Sequence, residues 1–271
     1  MDSTLRKDYR LIAFDLDDTL APSKSPLPDQ MAAALRRLLD LVDVCVISGG
    51  QFGQFSSQLL DNLGASAEQL GRLHLMPTCG TRYMRCIDGQ WTEIYARDLT
   101  ADERRRVMEV LESQARRLGL WREDTWGPVL EDRGSQITFS ALGQEAPLEE
   151  KRAWDPDGRK KEALRAAGAA LLPELEVRSG GSTSVDVTRK GIDKAYGIGE
   201  LSSQTGIAVS DMLFVGDRLD EGGNDYPVLR LGIDAHPVGG WQDTARFVEE
   251  YAAAHTPGEA DRPGEAEPQS S

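Results

Sequence analysis

The chain of 271 residues carries 31 Lys and Arg against 45 Asp and Glu, a formal net charge of −14, with 39% hydrophobic residues. This length and composition suit a soluble globular protein of one large domain or two small ones. The acidity excludes nonspecific binding to nucleic acid or to anionic membranes, and leaves any anionic substrate to be drawn in by a local cation or a metal.

The polar, charged residues 1–10 lack the apolar core of a signal peptide. No apolar stretch approaches the roughly 18 to 20 residues that span a bilayer. The short apolar run Leu11 to Phe14 ends abruptly in Asp15-Leu16-Asp17-Asp18-Thr19, as expected for a strand buried on both faces. After a Pro/Ser-rich loop, Asp29 to Leu41 has helical spacing with Asp29 as the expected N-cap. A strand at Val42 to Ile47 then ends in Ser48-Gly49-Gly50, followed by a helix over about 52–63 and a strand at Leu73 to Met76. That alternation is the rhythm of an α/β domain.

Near Cys79 the rhythm changes. Tyr83 to Cys86 and Trp91 to Tyr95 flank the turn signal Asp88-Gly89. Thr100 to Glu103 reads as a capping box opening a helix to about Leu118. Strands are predicted at Val129 to Glu131, Ser135 to Ser140, Leu175 to Arg178 and Ser184 to Thr188, with a helix at about 157–172. From Asp193 the α/β rhythm returns: a helix stopping at Gly206, a strand at Met212 to Val215, a short strand within 232–238, and a last helix from Asp243 to Ala254. The expected organisation is an α/β core in residues 1–80 and 189–255, an inserted α+β module in 81–188, and a disordered acidic tail in 256–271. Cys45, Cys79 and Cys86 form no C-x-x-C pair and leave an odd count, which points to a reducing, cytoplasmic setting.

Asp15, Asp17 and Asp18 crowd three carboxylates into four positions at a strand end, where they repel unless a cation or a function holds them. Asp15 and Asp17 fall on one side of an extended chain, at the strand edge where open α/β sheets bind ligands. Ser48 and Gly49 offer a hydroxyl and close backbone N–H approach to an anionic oxygen. Lys194 opens a helix against its dipole, which makes sense beside carboxylates and a phosphate. Asp217, Asn224 and Asp225 flank a Gly-rich loop at a further strand end and suit a hard cation. His74, His236 and His255 lack ligand spacing, so no zinc site is expected.

Asp-x-Asp-x-Thr at Asp15 to Thr19, then Ser48, then Lys194, then Gly216-Asp217 with Gly222-Gly223-Asn224-Asp225, resembles in order the four motifs of the haloacid dehalogenase superfamily. The likeness implies a Rossmann-like α/β core with a parallel sheet and an inserted α+β cap of the IIB type. Gly180 to Val187, Gly191 to Lys194 and Gly216 to Arg218 resemble eukaryotic-type phosphomannomutases, over nearly the whole chain except the tail. This resemblance implies Asp15 as nucleophile, Asp17 as general acid and base, and Ser48 and Lys194 on the phosphoryl oxygens. It also implies Mg²⁺ held by Asp15, the Asp17 carbonyl, Asp217 and Asp225 or Asn224. Sugar-phosphate contacts fall on Gly49, Lys24, Arg133, Gln144, Ser184 and Asp186.

Two departures from the mutases matter: Gln144 follows Ser140 to Gly143 where they carry Arg, and Trp126 precedes Gly127 where they carry another. Loss of guanidinium forks makes a second phosphate harder to retain. A Mg²⁺-dependent phosphatase acting on a sugar phosphate or similar small phosphomonoester is therefore preferred over a phosphomannomutase, with a catalytically silent sugar-phosphate binder as a further alternative. A response-regulator receiver is excluded by its half-length domain and lack of a cap. The expected partner is a small phosphorylated substrate, with no nucleic acid and no membrane. The charged helix that opens at Thr100 offers a homodimer contact through the cap.

Overall fold

The computed structural model describes residues 3–256, so the expected tail lies, from residue 257 on, outside the described residues. Five parallel strands form the centre of the core. They are β1 (Leu11–Asp15), β2 (Asp43–Ile47), β3 (Leu73–Met76), β10 (Met212–Gly216) and β11 (Asp234–Pro237), which with β4 (Arg82–Ile87) and β5 (Gln90–Ala96) make one seven-stranded sheet ordered β11-β10-β1-β2-β3-β4-β5. Side chains alternate along β1. Ile12 and Phe14 pack on one face beneath α1 (Asp29–Leu39), α2 (residues 52–63) and α8 (Trp241–His255). Leu11 and Ala13 pack on the other with Ile198 and Leu201 of α7 (Lys194–Thr205). Helices on both faces explain why the strand has no polar position before Asp15. Asp29 sits in the first turn of α1 rather than at its cap. Pro28 is the N-cap and makes no side-chain bond, so Asp29 contributes through the helix dipole.

The hairpin β4 (Arg82–Ile87) and β5 (Gln90–Ala96) turns at Asp88, whose φ is +50°, and Gly89. The sequence assigns it to the inserted module, but β4 pairs antiparallel with β3, at His74 with Arg85 and Leu75 with Met84. The hairpin extends the core sheet because it covers the edge that β3 would otherwise leave unpaired. The inserted module thus begins after Ala96 rather than at 81. Short helices α3 (Ala67–Gly71) and α5 (Leu148–Trp154), neither burying a residue, escaped the apolar pattern.

The cap is an antiparallel sheet ordered β6-β7-β9-β8, made of β6 (Leu130–Asp132), β7 (Gln136–Ser140), β8 (Leu175–Ser179) and β9 (Ser184–Arg189). Helices α4 (Ala101–Arg117), opened by the Thr100–Glu103 capping box, and α6 (Arg159–Leu171) cover one face. Ile137, Phe139, Val185 and Val187 pack under those helices with Leu111 and Leu164. The strand period then places Gln136, Thr138, Ser140, Ser184 and Asp186 on the opposite, polar face.

Among the described residues, no helix is long and apolar enough to cross a membrane.

Candidate active site

Because β10, β1 and β2 are adjacent and parallel, their C-terminal ends meet. Asp15 ends β1, Ser48 follows β2, and Asp217 follows β10. Lys194, the first residue of α7, is 1% exposed, and its Nζ lies 2.6 Å from Asp15 Oδ1. The same ammonium pairs with the fully buried Asp225. Asp193 caps α7 by accepting from Tyr196 N at 3.0 Å, which fixes the turn from which Lys194 projects. Gly216 permits this packing: a Cβ there would lie 2.4 Å from the Asp225 carboxylate. Asp225 Oδ2 also accepts from Arg218 N at 3.1 Å.

Burial drives the charges. It pushes the Asp15 carboxyl up to about 7, with Lys194 pulling it down and the Asp225 charge adding to the rise. Burial also works against the Lys194 charge, but Asp15 and Asp225 outweigh it and hold the ammonium above its ordinary range. Asp217 is raised by burial and then by Asp225. One oxygen from each of Asp15, Asp217 and Asp225 lies within 4.8 Å of the others. Three carboxylates against one ammonium leave two negative charges facing an oxygen-only donor set. That surplus fits a hard divalent cation. Thr19 orients Asp217, donating to its Oδ1 at 3.2 Å and accepting from its N–H at 3.1 Å. Asn224 is solvent-exposed and is no part of this cluster.

Ser48 is buried, and its Oγ accepts from Gly50 N at 3.2 Å. The loop is clamped from below. Cys79 N donates to Ser48 O and Thr78 N to Gly50 O, both at 2.9 Å. Thr78 and Cys79 hold φ values of +49° and +55°, a left-handed strain for residues with side chains. The Asp17 carboxylate lies outside the acidic cluster. It accepts from Lys24 N at 2.7 Å and from Gln54 Nε2 at 2.9 Å.

Cap residues close over this edge. Gln51 Nε2 donates to Glu131 at 2.5 Å, and Arg133 reaches Gly49 O at 3.4 Å. Arg133 is tied to Glu131 at 2.7 Å, so its guanidinium is not free for substrate in this conformation. Asp186, raised by burial, accepts from Thr138 at 2.7 Å. Ser184 pairs with Ser140 in the β7–β9 register on the same polar face. Gln144 accepts Lys151 Nζ on its carbonyl at 2.8 Å, while its own Nε2 is buried without a partner. Lys24 is exposed; burial lowers Lys151, and the nearby Lys24 charge adds to the fall. A cavity of about 460 Å³ opens beside Arg133, but its other arginines, Arg82 and Arg104, are bound to Asp98 and Asp132.

The motif order in the sequence places Asp15, Lys194, Asp217 and Asp225 together, and in the structure they meet at one point. It missed Thr19 as the partner of Asp217, although the motif contains it, and it missed Gln54 and Gln58 altogether. Nothing in residue type marks those two glutamines; only the helix geometry does.

Comparison with known proteins adds a family context. A family model described as eukaryotic phosphomannomutase matches residues 122–253. A phosphomannomutase of Encephalitozoon cuniculi is 26% identical over 264 residues, covering 90% of this chain and 94% of that protein. Human phosphomannomutase 1 is 25% identical over 266 residues, covering 94% and 97%. Among solved structures, a haloacid dehalogenase-like hydrolase from Bacteroides thetaiotaomicron aligns with a TM-score of 0.56 at 16% identity, covering 89% of this chain and 98% of that one. An IMP-bound IMP-nucleotidase of Plasmodium falciparum aligns with a TM-score of 0.66 at 15% identity, covering 92% and 69%. At such identities the structural likeness speaks for the fold.

Proposed function

We propose that this chain, similar over nearly its whole length to proteins named phosphomannomutase, is an enzyme of that kind that moves a phosphoryl group on a hexose phosphate, interconverting the 1- and 6-phosphates. The observation that carries phosphoryl transfer is the buried Lys194 held between Asp15 and Asp225 at the strand ends. Near-full-length similarity to proteins named phosphomannomutase supports the mutase, and it favours that reading over the hydrolysis preferred from sequence.

In this mechanism an Asp15 oxygen attacks one phosphorus of a hexose 1,6-bisphosphate as the bond to the sugar oxygen breaks; the departing oxygen takes a proton from Asp17 and a hexose monophosphate is left. A free hydroxyl of a hexose 1-phosphate then attacks the aspartyl-phosphate, gives its proton to Asp17 and releases Asp15 and a bisphosphate, which turns over in the cleft and returns its other phosphoryl group to Asp15, leaving the 6-phosphate. Lys194 and Ser48 bind phosphoryl oxygens, and Lys194 screens the Asp15 charge from the incoming phosphate. Asp15, Asp217 and Asp225, with the Asp17 carbonyl, would hold Mg²⁺, which when bound neutralises phosphoryl charge. Ser184 and Asp186 from the cap, with Lys24 and Gly49 from the core, would contact the substrate, and Arg133 would join them by exchanging Glu131 for it. A small polar substrate and three unpaired cysteines are compatible with a cytoplasmic setting.

A second reading, hydrolysis, is favoured by the state of the cap cations: Arg133 is engaged by Glu131, and Trp126 and Gln144 stand where the mutases carry arginine. Phosphorus NMR on mannose 1-phosphate and glucose 1-phosphate, with Mg²⁺ and a hexose bisphosphate, separates the two. The mutase yields 6-phosphate without inorganic phosphate. Inorganic phosphate as the main product would replace it with a phosphatase, and no turnover at all would leave a silent binder.

A further inference from the structure

Asp17 is gripped by α2 in a way the reaction alone does not require. Besides Lys24 N and Gln54 Nε2, its Oδ1 accepts from Gln58 Nε2 at 3.3 Å. Gln54 Nε2 also donates to Gln58 Oε1 at 3.0 Å, so the two amides orient each other and both point N–H groups at one carboxylate. Gln58 is only 3% exposed, an unusual burial for an amide, and Gln54 lies across the phosphoryl-binding turn. A Cβ at Gly50 would stand 2.1 Å from Gln54 Oε1.

The backbone explains the placement. Between Phe52–Phe55 and Asp61–Leu63 the helix opens into a π turn at Ser56–Leu60, a rare form that is frequent at functional sites. Within that turn Gln58 O accepts from Leu27 N at 2.7 Å, so the same residue ties down the loop whose Lys24 N–H holds Asp17. Neutral amides fix a carboxylate's direction without adding a charge beside it.

We propose that Gln54 and Gln58 are positioning residues for Asp17, holding its carboxylate where it protonates the leaving sugar oxygen. The role rests on the phosphoryl-transfer reading above. In the step concerned, Asp15 forms a new P–O bond, the sugar oxygen keeps the electron pair of the broken one, and the Asp17 proton moves to that oxygen.

The test is the single-turnover rate of phosphoenzyme formation, with Mg²⁺, from two donors. Mannose 1,6-bisphosphate expels a sugar alkoxide that needs the proton; p-nitrophenyl phosphate expels a phenolate that does not. Gln54→Met and Gln58→Met keep side-chain length and remove the donors. Each is expected to slow the mannose 1,6-bisphosphate reaction by about 10- to 100-fold, a share of what a general acid supplies, and the aryl phosphate reaction by less than about 3-fold. Equal losses with both donors, or no loss with either, would overturn the role. Because Gln58 is buried, the half-buried Gln54 keeps the test valid should Gln58→Met lose its fold. Wild-type protein that forms no phosphoenzyme from either donor would contradict the phosphoryl-transfer reading, and this role with it.

Discussion

The strand ends of the core and the polar face of the cap meet across one cleft, yet they are built on opposite electrostatic terms. In the core, Asp15, Lys194 and Asp225 are buried and paired, and their charges do not balance. In the cap, Arg133 is satisfied by its neighbour Glu131, Asp186 by Thr138, and the Gln144 amide is left without a partner. Unbalanced buried charge costs several kcal/mol unless a ligand arrives to compensate it. The core is therefore committed to one chemistry, whereas the cap's contacts can be exchanged for a substrate's at little cost. On the proposed function, the catalytic step falls to the first region and the choice of substrate to the second.

The sharpest way to break that division is at the nucleophile. Asp15→Asn should lower phosphoryl transfer from every donor by about 10⁴-fold or more. Its melting temperature should hold or rise, because the substitution relieves a buried like-charge contact. Turnover near wild type would reassign the chemistry. Lys194→Met comes next. It leaves Asp15 and Asp225 buried without their cation, and should destabilise the metal-free protein by about 3–5 kcal/mol, read by denaturant unfolding. Magnesium bound at the three carboxylates would supply the charge that the core lacks, so at about 100-fold over its dissociation constant it should stabilise the wild type by about 2.7 kcal/mol. Asp217→Asn should shrink that gain, and an unchanged gain would place the ion elsewhere.

In the cap, Asp186→Ala should raise KM for a hexose phosphate by about 10-fold and leave kcat on p-nitrophenyl phosphate nearly unchanged, the pattern of lost binding rather than lost chemistry. A matching fall in kcat on both substrates would erase the division between the regions. The smallest effect lies far from the cleft. Burial holds the His74 imidazole below its usual range, with Asp43 drawing it back and Arg85 adding to the fall. The unfolded chain binds that proton more readily, so this contribution is present above pH 6.5 and is lost as pH falls through it. His74→Asn should flatten the slope of stability between pH 7 and 5.

The two regions were not equally legible in the sequence. A run such as Leu11 to Phe14 interrupted by Asp15 announces a strand end, and the parallel order of β10, β1 and β2 does the rest. The Thr100–Glu103 capping box was readable because capping is local. By contrast, the Asp88-Gly89 hairpin was recognisable as a hairpin, but nothing local states which sheet it joins. The pairing of β4 with β3 is decided by an exposed edge 11 residues away, at His74 with Arg85. Gln54 and Gln58 were invisible for a similar reason: their meaning depends on a π turn that no periodicity signals.

The most direct measurement is where the phosphoryl group rests between the two half-reactions. Wild-type protein mixed with Mg²⁺ and a hexose 1,6-bisphosphate, quenched in acid within milliseconds and digested for mass spectrometry, should carry one acid-stable, alkali-labile phosphoryl group on Asp15. Asp15→Asn should carry none. Turnover that proceeds with no phosphoryl group on Asp15, or with the group on another residue, would contradict the account.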